Sequence, residues 1–76
     1  MPSRTGVPTA AQIRAARALL GWSREALATE SGVSVRSLAR LEQGEGEPYA
    51  RTVNNVLDTL EAAGIVFLPG EGVRRA

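Results

Sequence analysis

Hydrophobic positions recur along this chain at helical spacing, in four clusters separated by glycine, serine and proline. Ile13, Ala16 and Leu20 fall three and four residues apart, with Leu19 beside them. Thr9-Ala10-Ala11-Gln12 leads into them as a capping box, in which the threonine oxygen and the glutamine side chain satisfy the first free amides. Gly21 ends the run, so the pattern predicts a first helix over about 9–20. Ser23 is the next N-cap, and Glu25 sits in the first turn, where the helix dipole favours an acid. Trp22 before that cap and Leu27 at the fourth helical position have the arrangement of a hydrophobic staple. Leu27 and Ala28 face inward, and this short second helix stops near Ser31-Gly32.

Ser34 caps a third helix whose apolar positions, Val35, Leu38 and Leu41, repeat every three residues. Gln43-Gly44 ends it, and the stretch from Gly44 to Pro48 cannot continue a helix. The fourth helix has the clearest period: Val53, Val56, Leu57 and Leu60 at i, i+3, i+4 and i+7, with Gly64 after its end. Ile65-Val66-Phe67-Leu68 is short, β-branched and aromatic, and closes on Pro69-Gly70, so it reads as a strand over 65–69. No second strand is apparent for it to pair with. An unpaired edge invites another chain, and the natural candidate is the same strand of a second copy. Residues 1–8, with Pro2, Gly6 and Pro8, read as a loose arm, and residues 70–76 as a flexible tail.

Composition narrows the chemistry. The chain has 76 residues, one domain's worth, and holds neither cysteine nor histidine. Zinc fingers, Cys/His dyads, Ser-His-Asp triads and disulfides are therefore excluded. No catalytic constellation, cofactor or metal is expected, and the chain reads as a non-enzyme. A single small core without staples raises the expectation of self-association. The longest strongly apolar run is four residues, Ile65 to Leu68, far below the roughly 20 a membrane helix needs. No signal peptide is visible, and a cytoplasmic location is expected.

Net charge is +1, but its distribution is uneven. Residues 1–40 carry +4 and residues 41–76 carry −3. A basic first half and an acidic second half suggest a polyanion-facing surface joined to one that avoids the polyanion. Ordinary solvated helix faces would give the same split. All nine basic residues are arginine, a bias that a GC-rich genome produces as readily as selection for two-pronged contacts.

The most informative segment joins the second and third helices. Gly32 lies where a sharp turn needs a positive φ, and Ala28, four residues earlier, lets two helices cross closely. Leu27, Val33, Leu38 and Leu41 close a small core from both helices. The pattern Leu27-Ala28-x-x-x-Gly32-Val33-x-x-x-x-Leu38-x-x-Leu41 specifies a helix-turn-helix with its second helix presented outward.

From Ile13 to Leu60 the sequence resembles the phage-repressor-like (Cro/C1-type, XRE) helix-turn-helix regulators. Leu20 to Ala28 looks like the family's entry into its first motif helix, Ser31-Gly32-Val33-Ser34 like its turn, and Leu38 to Gly44 like the end of its recognition helix. The resemblance implies an all-α, four-helix, lambda-repressor-like domain over 9–64. It implies a transcriptional regulator whose recognition helix, at about 34–43, enters the major groove of double-stranded DNA. Carried over by position, the base-facing residues are Ser34, Val35, Arg36 and Arg40. Arginine can grip guanine with two hydrogen bonds, while Val35 can only pack against a thymine methyl or a sugar. Phosphate contacts are implied for Arg14, Arg17, Arg24, Ser37 and Arg51. Arg14 and Arg17 could equally pair with carboxylates of helix 2 or helix 4, and Trp22 reads as core.

Two features depart from the family pattern. Many relatives carry glutamine in place of Arg24, and the loop after helix 3, often basic, here holds Glu45 and Glu47. A homodimer reading an inverted repeat is expected, its recognition helices about 34–36 Å apart. Ile65, Val66, Phe67 and Leu68 would form the interface, completed by apolar residues of helix 4. The alternative is an antitoxin or protein-interaction module on the same fold, engaging a protein partner through the acidic half.

Overall fold

The computed structural model describes residues 8–76; the arm expected over 1–8 lies outside them apart from Pro8. Four helices follow one another: α1 (Ala10–Leu20), α2 (Arg24–Ser31), α3 (Val35–Gln43) and α4 (Ala50–Ala62). Two short strands close the chain, β1 (Ile65–Phe67) and β2 (Val73–Arg75). The four helices expected from the sequence are therefore present, with a small antiparallel sheet at the C-terminal end.

The caps explain where the first three helices start and stop. Thr9 and Gln12 form the expected box: the Gln12 amide donates to Thr9 Oγ1 at 3.2 Å and the Thr9 amide to Gln12 Oε1 at 2.8 Å. Ser23 Oγ accepts from the Ala26 amide, and Ser34 Oγ from the Ser37 amide, both at 3.0 Å. Each such cap is worth about 1 kcal/mol relative to alanine. Between α2 and α3, Gly32 adopts φ +72° and donates its amide to the Ala28 carbonyl at 3.0 Å. That left-handed residue turns the chain within three residues and sets the angle between the motif helices.

The core is drawn from all four helices and from β1. Ile13 and Ala16 of α1, Leu27 and Ala28 of α2, Leu38 of α3, and Val53, Val56, Leu57 and Leu60 of α4 are buried together with Ile65 of β1. Trp22 and Val33 pack on its edge, as expected of the staple and the turn. In α3 the inward stripe departs from the three-residue repeat. Val35 is 41% exposed, Leu41 is half-buried, and Glu42 is completely buried beside Leu38. At 100° per residue Val35 lies only about 20° round the helix from Glu42, so its exposure belongs to its place as the first residue of α3 and not to its face.

The C-terminal segment corrects two expectations. The 65–69 strand is not single, and the 70–76 tail is not loose. β1 pairs with β2 in antiparallel register, Ile65 opposite Arg75, Val66 opposite Arg74 and Phe67 opposite Val73. The Leu68 amide reaches the Gly72 carbonyl at 2.9 Å, which leaves Pro69-Gly70-Glu71 as a three-residue loop. Proline followed by glycine thus reverses the strand instead of merely ending it, Gly70 taking φ +80°. Ile65 is buried in the chain's own core and Phe67 packs against it.

Gln12 fastens this hairpin to α1. Its Nε2 donates to the Leu68 carbonyl at 3.1 Å and to the Gly72 carbonyl at 2.9 Å, one on each side of the loop. One side chain therefore caps α1 and clamps the hairpin, which accounts for a glutamine that is only 2% exposed.

Candidate nucleic-acid interface

Helix α3 has two faces of opposite character. Leu38 and Glu42 are buried, whereas Ser34, Val35, Arg36, Ser37 and Arg40 are all exposed. Ser34 Oγ and Ser37 Oγ lie 3.0 Å apart in a hydrogen bond at the start of the helix. Neither Arg36 nor Arg40 has a hydrogen-bond or ion-pair partner among the described residues. The Arg40 guanidinium lies against the loop after α3, where a side chain added at Gly46 would fall 2.9 Å from Nη2. Arg40 also borders a small groove of about 90 Å³ shared with Ser37, Leu41, Glu45 and Tyr49. Glu45 and Glu47 stand at this end of the interface, as the sequence placed them.

The arginines expected on phosphates occupy less uniform positions. Arg17 has a partner at every guanidinium nitrogen: Nε to Glu42 Oε2 at 2.9 Å, Nη2 to Glu42 Oε1 at 3.1 Å, and Nη1 to the Trp22 carbonyl at 3.0 Å. It pairs with a carboxylate of α3, not with helix 2 or helix 4. Arg24 reaches the same carboxylate through Nε, 3.1 Å from Oε1. Arg14 is exposed and donates from Nη1 to the Glu42 main-chain carbonyl. Three basic residues from α1 and α2 thus converge on the last turn of α3. There Arg14 satisfies a carbonyl left free by the helix end, and all three sit at the negative end of its dipole. Arg51 is exposed in the first turn of α4, beside Tyr49, which is 84% exposed and makes no side-chain cap.

Glu42 is the residue that the sequence reading did not single out. It counted among the acids of the negative half, yet its carboxylate is withdrawn from solvent between two guanidinium groups. Its position four residues after Leu38, on the buried stripe, was the available signal. The strand residues are divided too. Ile65 faces inward, Val66 and Phe67 are half-buried, and Leu68 is 37% exposed.

An outward, cationic second helix locked to its neighbours by a glycine turn defines a helix-turn-helix DNA-binding protein. The helix-turn-helix family model matches residues 13–61, well over half of the chain. The chain belongs to the Cro/C1-type (XRE) helix-turn-helix family, a family of DNA-binding transcriptional regulators and not of enzymes. No curated protein matches the chain. Among the described residues, no helix is long and apolar enough to cross a membrane.

Proposed function

We propose that this regulator binds an inverted-repeat operator as a homodimer, with one α3 in each of two successive major grooves. The observation that carries the reading is the division of α3: an inner side fixed by Leu38 and Glu42, and an outer side on which Arg36 and Arg40 are exposed and have no partner among the described residues. Ser34, Val35, Arg36 and Arg40 face the bases. Arg14, Arg24, Ser37 and Arg51 take the flanking phosphates, while Arg17 serves as an internal prop. Nine residues of helix span only a few base pairs, so a second copy multiplies both affinity and the length of sequence read.

The dimer contact falls on the outer side of the hairpin. Leu68 and Leu19 are the large exposed apolar residues near the two ends of β2, Leu19 lying where its carbonyl accepts from Arg75. Val66 and Leu68 belong to this outer side, whereas Ile65 and Phe67 support it from within.

The test is to select preferred duplexes from a random pool and compare the unmodified chain with R36A and R40A. The expected result is a two-fold symmetric site, with base preference lost at one position per half-site in each variant. A uniform loss on every sequence would reassign both arginines to the backbone. Sedimentation of L68E should give a monomer where the unmodified chain gives a dimer; an unchanged dimer would remove the hairpin from the interface.

A further inference from the structure

Arg17 and Arg24 meet one carboxylate in different ways. Arg17 approaches with two nitrogens and has its third held by the Trp22 carbonyl. Arg24 makes a single contact, Nε to Glu42 Oε1. Its terminal nitrogens have no partner among the described residues, and its side chain is one-third exposed. A guanidinium is planar and rigid, so fixing Nε also fixes the direction of Nη1 and Nη2. The outcome is a fork of N–H donors at the first residue of α2, held from beneath by a group with no exposed surface.

We propose that Glu42 is a positioning residue for DNA-backbone binding: from inside the core it grips Arg24 by Nε and holds the terminal nitrogens ready for a phosphate of the duplex. The inference rests on Arg24 being a backbone contact and deepens that reading. Arg24 acts as a bridge, one edge on the buried carboxylate and the other free for an anion in the two-pronged geometry that arginine and phosphate favour. Orientation set in advance spares the side-chain ordering that binding otherwise requires. Glu42 itself is negative, and by charge alone it opposes an approaching phosphate. Positioning and simple repulsion therefore predict opposite signs for its removal.

The experiment titrates the full chain against a mixed-sequence DNA duplex by fluorescence anisotropy across a salt series, so that only backbone contacts are read. Each variant is first shown to be folded by circular dichroism. R24M should weaken binding about tenfold, the order of one charged hydrogen-bonded contact, and lower the salt slope by about 0.9. R24K keeps the charge, but its single ammonium cannot hold Glu42 and present a fixed fork, so it should lose nearly as much as R24M. E42Q should bind more weakly than the unmodified chain, and adding R24M to it should cause little further loss.

R24K binding like the unmodified chain overturns the positioning role, as does folded E42Q binding equally or more tightly. Should E42Q fail to fold, the comparison of R24K with R24M still decides, because both retain the Glu42–Arg17 pair. An unchanged affinity and slope in R24M would remove Arg24 from the backbone altogether. That failure is distinct from one in which R24M weakens binding but R24K does not.

Discussion

Replacing Glu42 by methionine tests whether the convergence on α3 supports the fold as well as the interface. The variant keeps side-chain volume but leaves Arg17 and Arg24, 21% and 33% exposed, facing a buried apolar group. Removing one partner of a buried ion pair costs about 3–5 kcal/mol. The partial exposure of both arginines lets water recover some of this, which places the expectation near 3 kcal/mol. A domain of this length has a total stability of only about 4–11 kcal/mol, so the loss is a large share. R17M should cost about 2 kcal/mol, because Glu42 keeps one of its two guanidinium partners. R24M should cost less than 1 kcal/mol, since the two-pronged Arg17 contact survives and Arg24 is the more exposed partner.

The decisive variant is the double substitution E42M/R17M, measured by urea unfolding with circular dichroism. It removes the buried charge together with its main partner, so the loss should fall well below the sum of the singles. A coupling energy of about 2 kcal/mol is expected, within the range for residues of one network. With a urea slope near 1 kcal/mol/M for so small a domain, that coupling is a midpoint difference of about 2 M. Additivity within about 0.5 kcal/mol would refute the reasoning, and so would an E42M midpoint equal to that of the unmodified chain.

Other elements give independent expectations. Gly32 has φ +72° and no atom within 4 Å of an added Cβ, so G32A should cost about 1–2 kcal/mol from backbone strain alone. G32N should cost less, because asparagine tolerates the left-handed region; equal costs by thermal unfolding would show that space, not φ, is limiting. Q12L removes both donors to the hairpin loop and the side-chain half of the capping box, with an expected loss of about 2 kcal/mol. Amide exchange should then accelerate in β1 and β2 before α2 and α3; uniform acceleration would mean that the hairpin is not a separately clamped unit. Deleting residues 65–76 strips Ile65 and Phe67 from the core, so the shortened chain should lose several kcal/mol, at about 1.5–3 kcal/mol per buried side chain. An unchanged unfolding midpoint would show that the hairpin adds nothing to the helical core.

Much of the fold was legible because its signals are local. A serine or threonine three residues before a free amide, a glycine after the last turn and a four-position apolar stripe each act within one helical turn. The structure places Thr9, Ser23, Ser34, Gly21, Gly32 and Gly44 in those expected roles. The hairpin was harder because β2, Val73-Arg74-Arg75, has one apolar residue in three and no alternation that marks it as a strand. Its pairing is dictated by the Pro69-Gly70 reversal and by Gln12, which is more than 50 residues away in the chain.

The candidate site divides along the same line. Arg36 and Arg40 are exposed on the side of α3 opposite Leu38, a placement that the helical period of the sequence carries. Arg14, Arg17 and Arg24 carry the same charge in the same half of the chain, and nothing within either helix tells a free arginine from a committed one. What separates them is Glu42, contributed by the third helix and turned inward with Leu38. The apparent partition into a basic first half and an acidic second half therefore breaks down at the motif itself. One acid of the negative half lies at the centre of the positive half, with two guanidinium groups on its carboxylate and a third on its main-chain carbonyl. The exposed cations Arg36 and Arg40 stand on the outer face of that same helix, so the group that balances charge inside also fixes the helix that presents charge outside.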